Sequence, residues 1–326
     1  MSASGRTLRL GTRRSALAWT QSSHVAEALR ARGHDVELVA VVTEGDLSPA
    51  PLRTLGGTGV FAAALREARV RGEVDLAVHS LKDLPTAPHP DLVLAAVPPR
   101  EDPRDAVVGR EGRTLADLGA GARVGTGSPR RVAQLNALGW GLVTEDIRGN
   151  VDTRLRLVRD GRVDAVVLAA AGLRRLGLAD RITEVLDPIQ MLPAPGQGAL
   201  AVECRADRDD VRSALAGLDD ADTRTCVDAE RTLLAVLEAG CSAPVGALAE
   251  IVEGEEHDGV PRLELSLRGF VGSVDGSAEL RRSLVGDVDD PSGLARRLAA
   301  LLLEDGAAEL MSTAEMPDPE SLENVP

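Results

Sequence analysis

Short apolar runs alternate with longer amphipathic stretches over the first part of the chain. The runs at 36–42, 74–78 and 92–97 have the length of buried strands, and the stretches at 15–32 and 61–71 have a helical period and end near a glycine. Strands separated by helices of this length are typical of βαβ units. The pattern therefore predicts an α/β fold with a largely parallel sheet.

The same arrangement occurs twice along the chain. The segment LRLGTRRSALAWTQ at 8–21 resembles ARVGTGSPRRVAQL at 122–135, and RGEVDLAVHS at 71–80 resembles DGRVDAVVLA at 160–169. Any two βα units share some of these features, but here the pairs also occur in the same order. We interpret them as two similar α/β lobes.

Two proline-rich stretches, at 97–105 and 187–198, separate the lobes and predict two crossings between them, with a hinge. An apolar run at 200–204 would return to the first lobe as a strand.

The last third has a helical pattern followed by three strand-like runs and a final helix, which predicts a small α+β domain. The expected organisation is a first lobe from 1–97 and 199–218, a second lobe from 104–193, a C-terminal α+β domain from 220–312 and a disordered tail from 313–326.

Composition and charge exclude several classes of protein. The 326-residue chain has no apolar run of the roughly 18–20 residues that span a bilayer, and its first residues lack the apolar segment of a signal peptide. Three cysteines are too few for a disulfide framework and indicate a reducing compartment. A net charge of −14 disfavours binding to nucleic acid or to an anionic membrane. We therefore expect a soluble, cytoplasmic protein.

One lysine stands among 37 basic residues, and the other 36 are arginines. Lys82 directly precedes Asp83 at the end of a predicted buried strand, in the segment VHSLKDLP. An ammonium is a compact charge that a guanidinium does not reproduce, so Lys82 is a candidate for a specific role, although a chance survivor in a surface turn fits as well. In a basic cleft Asp83 would stay ionised and would stabilise a ligand cation or transfer a proton. His79 falls within the strand pattern and is expected to be a packed core residue.

Basic and hydroxyl side chains recur where a predicted strand meets a helix. Free backbone amides, the helix dipole and a guanidinium together form an anion site at the start of a helix. In the second lobe, Ser128 suits the N-cap of the predicted helix and Pro129 suits its first position. The residues at these junctions are Arg13, Ser15, Ser128, Arg130, Arg131, Arg148, Arg154, Arg174 and Arg175. The segment 121–181 carries 11 arginines and six acids, a charge of +5 inside an acidic protein. Each arginine alone would be a solvated surface residue, but the set indicates a ligand with several carboxylates or phosphates.

The three cysteines differ in their surroundings. Cys204 and Cys226 lie in apolar patterns and are expected to be buried, whereas Cys241 follows a predicted helix end at Gly240 and falls on a loop. By spacing alone a structural cysteine is the more ordinary interpretation of Cys241. The sequence shows no CxxC or His–Cys spacing that would predict a metal site.

The glycine-rich segment GGTGVF includes Gly57, Gly59 and Phe61 and precedes a predicted helix. It lacks the lysine and hydroxyl of a phosphate-binding P-loop, which makes nucleotide binding a poor interpretation. Glycines before a helix suit a mobile flap over a cleft, although an ordinary glycine-rich turn has the same composition.

Taken together, these motifs resemble the porphobilinogen deaminase (hydroxymethylbilane synthase) family over nearly the whole chain, from residue 8 to about 310. Several long motifs in one order are far more specific than any one alone. The matching segments are VHSLKDLP at 78–85, REDPRDA at 100–106, VGTGSPRR at 124–131, RGNVDTRL at 148–155, AAAGLRRLGL at 169–178, LPAPGQGAL at 192–200 and AGCSAPVG at 239–246.

The resemblance implies a fold, a reaction and a cofactor. The fold is a pair of lobes like type II periplasmic binding proteins with a third domain, in a monomer without a metal. The reaction condenses four porphobilinogen units head to tail with loss of ammonia, and hydrolysis then frees hydroxymethylbilane, in tetrapyrrole and haem biosynthesis. A dipyrromethane cofactor is held by a thioether to the cysteine that matches Cys241, and the main catalytic group matches Asp83. The positions that hold the carboxylate arms of cofactor, substrate or growing chain match Arg13, Ser15, Lys82, Ser128, Arg130, Arg131, Arg148, Arg154 and Arg175.

This sequence departs from the family pattern at three positions. Thr58 and Ala63 stand in the flap where lysines are frequent, and Gly127 stands where many members have serine. We expect the flap to bind carboxylates less tightly than in other members. Lys82 and the arginines would then provide more of the carboxylate binding.

Two other functions remain open from the residues themselves. A two-lobed anion receptor or regulator domain would use the same hinge and helix-terminus sites, but the receptor would need export and neither would need an accessible Cys241. An enzyme that forms a Schiff base, for instance with pyridoxal phosphate, would use Lys82 and would lose its chromophore when that lysine is replaced.

Overall fold

The protein is described from a computed structural model that covers residues 6–41, 59–237, 243–257 and 260–312. Thirteen strands in these ranges form three separate sheets, two of five strands and one of three. Within the described ranges, no helix is both long enough and apolar enough to cross a membrane.

The first sheet has the order β2-β1-β3-β10-β4 and forms the core of lobe 1. β1 pairs in parallel with both β2 and β3, whereas β10 runs antiparallel between β3 and β4. Helix α1 packs on this sheet through Val25, Ala26 and Leu29 because those apolar positions recur at helical spacing. The elements are β1 (Leu8–Thr12), α1 (Ala16–Arg30), β2 (Val36–Ala40), α2 (Gly59–Val70), β3 (Leu76–Ser80), β4 (Leu92–Ala96), β10 (Leu200–Arg205) and α6 (Asp209–Ala216).

The second sheet repeats this plan in lobe 2, with the order β7-β6-β8-β5-β9. β6 pairs in parallel with β7 and β8, and β5 is the antiparallel strand in the place that β10 occupies in lobe 1. This shared order confirms the predicted duplication and the type II arrangement. The elements are β5 (Asp105–Gly109), β6 (Arg123–Gly125), α3 (Pro129–Ala137), β7 (Val143–Glu145), α4 (Val151–Arg159), β8 (Ala165–Ala169), α5 (Ala170–Arg175) and β9 (Glu184–Val185).

The remaining elements form a C-terminal domain in which helices cover an antiparallel sheet, β11-β12-β13. Its core joins Leu233 and Leu237 at the end of α7 to Leu265 and Leu267 on the sheet and to Leu298 on α8. These elements are α7 (Ala221–Val236), β11 (Val245–His257), β12 (Val260–Gly272), β13 (Glu279–Asp287), α8 (Pro291–Glu304) and α9 (Ala307–Ser312).

The structure confirms the predicted α/β class and adds elements that the pattern did not show. β5 and α6 have no counterpart among the predictions, since β5 begins inside the proline-rich stretch and α6 is only eight residues long. The strands of the C-terminal domain extend past the predicted runs. β11 continues to His257, past the end of the apolar run, through the polar sequence EGEEH at 253–257.

The two crossings between the lobes lie against each other. The Glu101 N–H donates to the Gly198 carbonyl at 3.3 Å. Gly198 has φ of +88°, and a Cβ there would lie 2.3 Å from the Glu101 carbonyl oxygen. Only glycine permits both this conformation and this approach, so the position of the glycine fixes where the crossings touch.

Glu230 on α7 binds the hinge to the C-terminal domain. Its fully buried carboxylate accepts from the Arg100 guanidinium at 2.7 and 3.0 Å, from the Gly196 N–H at 2.6 Å and from the Ala249 N–H at 2.9 Å. One side chain therefore joins both crossings to β11. Because each charge is taken out of water, the loss of either partner would leave the other buried and unpaired.

We expect Glu230→Gln to lower the free energy of unfolding by about 3 kcal/mol, since it leaves Arg100 without its buried counter-charge. Urea unfolding measures this difference. Glu250→Gln is the matched control, because Glu250 pairs with Arg268 on an exposed face of the sheet and should change stability by less than about 1 kcal/mol. Equal effects of the two substitutions would contradict a special role for Glu230.

Candidate functional site

β3 delivers Lys82 and Asp83 to the edge of the first sheet through a short 3-10 turn, Leu81–Asp83. Leu81 and Leu84 are buried on either side of the pair, and the Leu81 N–H donates to the Ala199 carbonyl at 3.0 Å. The turn is therefore anchored by its leucines. Lys82 is half-buried and the Asp83 side chain is exposed, so a carboxylate is presented on a rigid support.

Asp105 organises the facing edge of lobe 2. Its carboxylate is fully buried and accepts from Arg130 Nη2 at 2.8 Å and from Arg131 Nη2 at 2.7 Å. Burial alone would raise the pKa of Asp105, but the two guanidinium groups hold it well below its usual range. The arginines that the sequence predicted as ligand contacts thus lie on a carboxylate of the protein itself.

Gln197 connects Asp105 to Lys82 across the hinge. Its fully buried amide donates from Nε2 to Asp105 Oδ1 at 2.8 Å and to the Pro103 carbonyl at 2.7 Å, and Oε1 accepts from Lys82 Nζ at 3.2 Å. The only ammonium of the sequence is therefore joined to the arginine pair of the other lobe through one amide. Sequence reasoning missed both Asp105 and Gln197, although they lie in the quoted motifs REDPRDA and LPAPGQGAL.

Ser15, which the sequence placed at the first helix start, caps α1. Ser15 Oγ accepts from the Ala18 N–H at 3.3 Å, and Arg13 lies just before it, half-buried, at the end of β1. Gln21, one turn and a half along α1, donates from Nε2 to Ser80 Oγ at 2.9 Å. That contact joins α1 to the last residue of β3, so Arg13, Ser15 and the Lys82–Asp83 turn lie at the same edge of the sheet.

The second helix start follows the prediction in position but not in detail. Ser128 is the N-cap and Pro129 the first residue of α3, yet the Ser128 side chain makes no capping bond. Gly127 packs against the segment that precedes α4, because a Cβ there would lie 2.8 Å from the Ile147 carbonyl oxygen. A serine at that position would need the loop to shift, which explains the glycine.

Asn150 caps α4 by accepting from the Thr153 N–H at 2.9 Å. Arg154 on this helix is half-buried and donates to the Gly149 carbonyl at 2.9 Å, and Arg148 pairs with Asp146 at 3.1 Å. Burial lowers the pKa of Arg154, and so does Arg131, whereas Asp146 and Asp83 oppose them. Arg154 is therefore within electrostatic reach of Asp83, which belongs to the other lobe.

Arg175 at the end of α5 also reaches across the hinge. Its Nη2 donates to the Gly198 carbonyl at 2.6 Å, and burial lowers its pKa. Its neighbour Arg174 pairs instead with Asp102, at 3.0 Å, and with Glu101. Of the two adjacent arginines, Arg174 is bound to acids of the protein and Arg175 is bonded to a carbonyl.

His79 is buried, as the sequence predicted, but it belongs to an ionic cluster. Its Nε2 lies 3.3 Å from Glu203, which also pairs with Arg66 at 2.8 Å and Arg69 at 2.5 Å. Burial lowers the pKa of Arg69 to about 10. Because this cluster ties α2 to β3 and β10 behind Lys82, it supports the site without opening into it.

Some predicted residues lie outside the described part of the chain. They are Cys241, Gly57 and Thr58. Gly59 begins α2 and Phe61 lies in its first turn, so the end of the predicted flap segment is helical. Cys204 and Cys226 are buried, as predicted, and burial raises the pKa of both thiols to about 11.

Comparison with known proteins agrees along nearly the whole chain. Residues 8–213 match the family model "Porphobilinogen deaminase, dipyromethane cofactor binding domain", and residues 224–304 match "Porphobilinogen deaminase, C-terminal domain". The chain belongs to the porphobilinogen deaminase family. Porphobilinogen deaminase of Nocardia farcinica is 58% identical over 97% of this chain and 91% of its own length. That of Mycobacterium tuberculosis H37Rv is 59% identical over 93% of this chain and 98% of its own length.

Solved structures with a similar chain path include the methionine-binding protein MetQ. It has 14% sequence identity and a TM-score of 0.43, and the comparison covers 65% of this chain and 89% of the MetQ chain.

The single lysine allows a direct measurement of the charge at the porphobilinogen deaminase site. We expect Lys82, labelled biosynthetically with 13C at Cε, to titrate with a pKa of about 8, because burial disfavours the ammonium. Asp83→Asn should lower this pKa further, since the Asp83 charge favours the protonated amine. An NMR titration gives one lysine signal, and a pKa near the ordinary value of about 10.4 would contradict the burial of Nζ.

Proposed function

We propose that this chain is a porphobilinogen deaminase that condenses four porphobilinogen units and releases hydroxymethylbilane, in haem and tetrapyrrole biosynthesis. The observation that carries the proposal is the exposed carboxylate of Asp83 beside Lys82, whose ammonium is joined through Gln197 to Asp105 and its arginine pair on the other lobe. Family membership and about 58% identity to named deaminases support it independently.

The residues around Asp83 fit a dipyrromethane, which brings several carboxylates. Nε of Arg130 and Nε of Arg131 are buried and have no hydrogen-bond partner within the described residues. Such donors in a polar cluster suit an additional carboxylate or a water. We propose that Lys82, Arg130 and Arg131 hold the cofactor and that Cys241 attaches it by a thioether. When bound, the dipyrromethane supplies the pyrrole ring to which the first substrate unit is joined.

We propose that the other cations bind the acetate and propionate arms of porphobilinogen and of the growing chain. Arg13, Ser15 and Ser128 lie at helix starts, where backbone N–H groups favour an anion. Arg13 and Ser15 belong to lobe 1, whereas Ser128, Arg148, Arg154 and Arg175 belong to lobe 2, so a ligand bound by residues of both lobes would join them. Cations on both sides would orient each pyrrole with its ring over Asp83.

The chemistry assigned to Asp83 follows from its charge and support. When the aminomethyl C–N bond of porphobilinogen breaks, ammonia leaves with the bonding electrons and the substrate ring becomes a cation. A fixed carboxylate near the ring nitrogen stabilises that charge as it forms, without first having to reorganise. The aminomethyl group is an alkyl amine that is protonated near neutral pH, so it leaves as neutral ammonia without taking a proton from Asp83. When the cation bonds to the next pyrrole, that pyrrole loses a ring proton, which the Asp83 carboxylate can accept. The buried leucines on both sides of the turn keep the carboxylate in place.

We propose a cytoplasmic monomer with the domain limits 1–97 with 199–218, 104–193 and 220–312. The partition of the strands among three sheets supports these limits. The low cysteine content and the net charge of −14 support the compartment.

Intact-mass analysis of the purified protein tests the cofactor assignment. We expect the chain to carry the added mass of one dipyrromethane, and Cys241→Ser to lack it. Cys226→Ser, which removes a buried thiol of the same domain, is the matched control and should retain the mass. A fully active chain at its unmodified mass would contradict the proposal.

Asp83→Asn tests the catalytic assignment. The substitution keeps the size of the side chain and removes its charge, so we expect turnover of porphobilinogen to fall by about 100-fold or more, because the forming cation loses its fixed counter-charge. Thermal unfolding should be nearly unchanged, since Asp83 is exposed. Asp91→Asn, another exposed acid of lobe 1, should leave turnover unaltered. Near-normal turnover of Asp83→Asn would remove Asp83 from the mechanism.

A further inference from the structure

One face of α7 in the C-terminal domain lies directly on the turn that carries Asp83. Val227 and Arg231 are four residues apart and therefore share this face. Val227 is fully buried in one apolar cluster with Leu81 and Leu84, the two leucines that bracket Lys82 and Asp83. The turn is thus seated on the C-terminal domain as well as on its own lobe.

Arg231 adds a polar contact at the end of the same turn. Its Nη1 donates to the Leu84 carbonyl at 3.0 Å, and its Nη2 donates to the Pro85 carbonyl at 2.8 Å. The planar guanidinium binds two successive carbonyls, which fixes the direction of the chain as it leaves the turn. Because Leu84 follows Asp83 directly, a change in this direction would move the carboxylate.

The other end of the same helix leads toward the cofactor cysteine. α7 ends at Val236, and Cys241 follows five residues later. Glu230, next to Arg231, is bound to Arg100 and Gly196 of the two crossings, so the helix is held in place along its axis. A helix that is bound to both crossings therefore supports the Asp83 turn.

We infer that Arg231 is a positioning residue, which fixes the Asp83 carboxylate relative to the C-terminal domain by binding the carbonyls of Leu84 and Pro85. The inference rests on the proposed function and adds a role for the C-terminal domain beyond carrying the cysteine. Since Asp83 must lie near the ring nitrogen of each unit, a displacement of about 1 Å would slow the reaction without preventing substrate binding.

Arg231→Met tests this inference, because it keeps a long apolar stem and removes the donors. We expect kcat for porphobilinogen consumption to fall by about 10- to 100-fold, with KM within about twofold of the unsubstituted enzyme, since the arginines that bind carboxylates are untouched. Arg231→Lys retains an ammonium donor and should restore part of kcat. Rates are expressed per molecule of holoenzyme, counted by intact mass.

Arg224→Met is the matched control. Arg224 lies on the same helix and bonds to the Leu94 carbonyl of lobe 1 and to Asp219, away from the Asp83 turn. We expect its kcat to stay within about twofold of the unsubstituted enzyme, even where its thermal stability falls as much as that of Arg231→Met.

The outcomes separate the inference from the function on which it rests. An unsubstituted holoenzyme that does not consume porphobilinogen would contradict the proposed function. An active unsubstituted enzyme with unchanged kcat in Arg231→Met, or with a loss confined to KM, would overturn the positioning role alone. If Arg231→Met does not fold, Arg231→Lys decides: a lowered kcat at normal KM supports the role, and a normal kcat overturns it.

Discussion

Burial of carboxylates against arginine is the interaction on which the interior of each lobe and the junction of the lobes with the C-terminal domain depend. Asp105, Glu203 and Glu230 are each almost completely buried, and each is held by at least one guanidinium at 2.8 Å or less. A buried charge without a partner is very costly, so every one of these pairs restricts where the next element can lie. Each pair joins elements that are far apart in sequence.

The same requirement explains why some of the basic residues serve structure and others face the cleft. Arg130 and Arg131 use Nη2 on Asp105, and Arg174 is bound to Asp102, so these arginines are first of all structural. Arg175, in contrast, is bonded to a backbone carbonyl and keeps its charge uncompensated by a carboxylate at that contact. Bound acids therefore set the geometry around Asp83, whereas the Arg175 charge is not used in this way.

The sequence was informative where function depends on local spacing. The duplicated lobes, the helix start at Ser15 and the delivery of Asp83 by a buried strand are local patterns, and the structure shows all of them. Asp105 and Gln197 could not be found in this way, because their partners are 25 to 115 residues away. His79 shows the same difference, since an alternating pattern predicts burial but gives no sign of Glu203, which is on a strand that returns from the other lobe.

Since all other basic side chains except histidine are arginines, the difference in pKa between an ammonium and a guanidinium matters at Lys82. A guanidinium stays charged when buried, and even Arg69, fully enclosed, keeps a pKa of about 10. The ammonium of Lys82 is smaller and more strongly hydrated, so partial burial brings its pKa to about 8, close to neutrality. Arginine is therefore suited to anchors that must never lose their charge. Lys82 lies at the junction of Asp83, Gln197 and the arginine pair. Because its ammonium loses its charge more easily than a guanidinium, it can bind a carboxylate and release it again as the ligand changes.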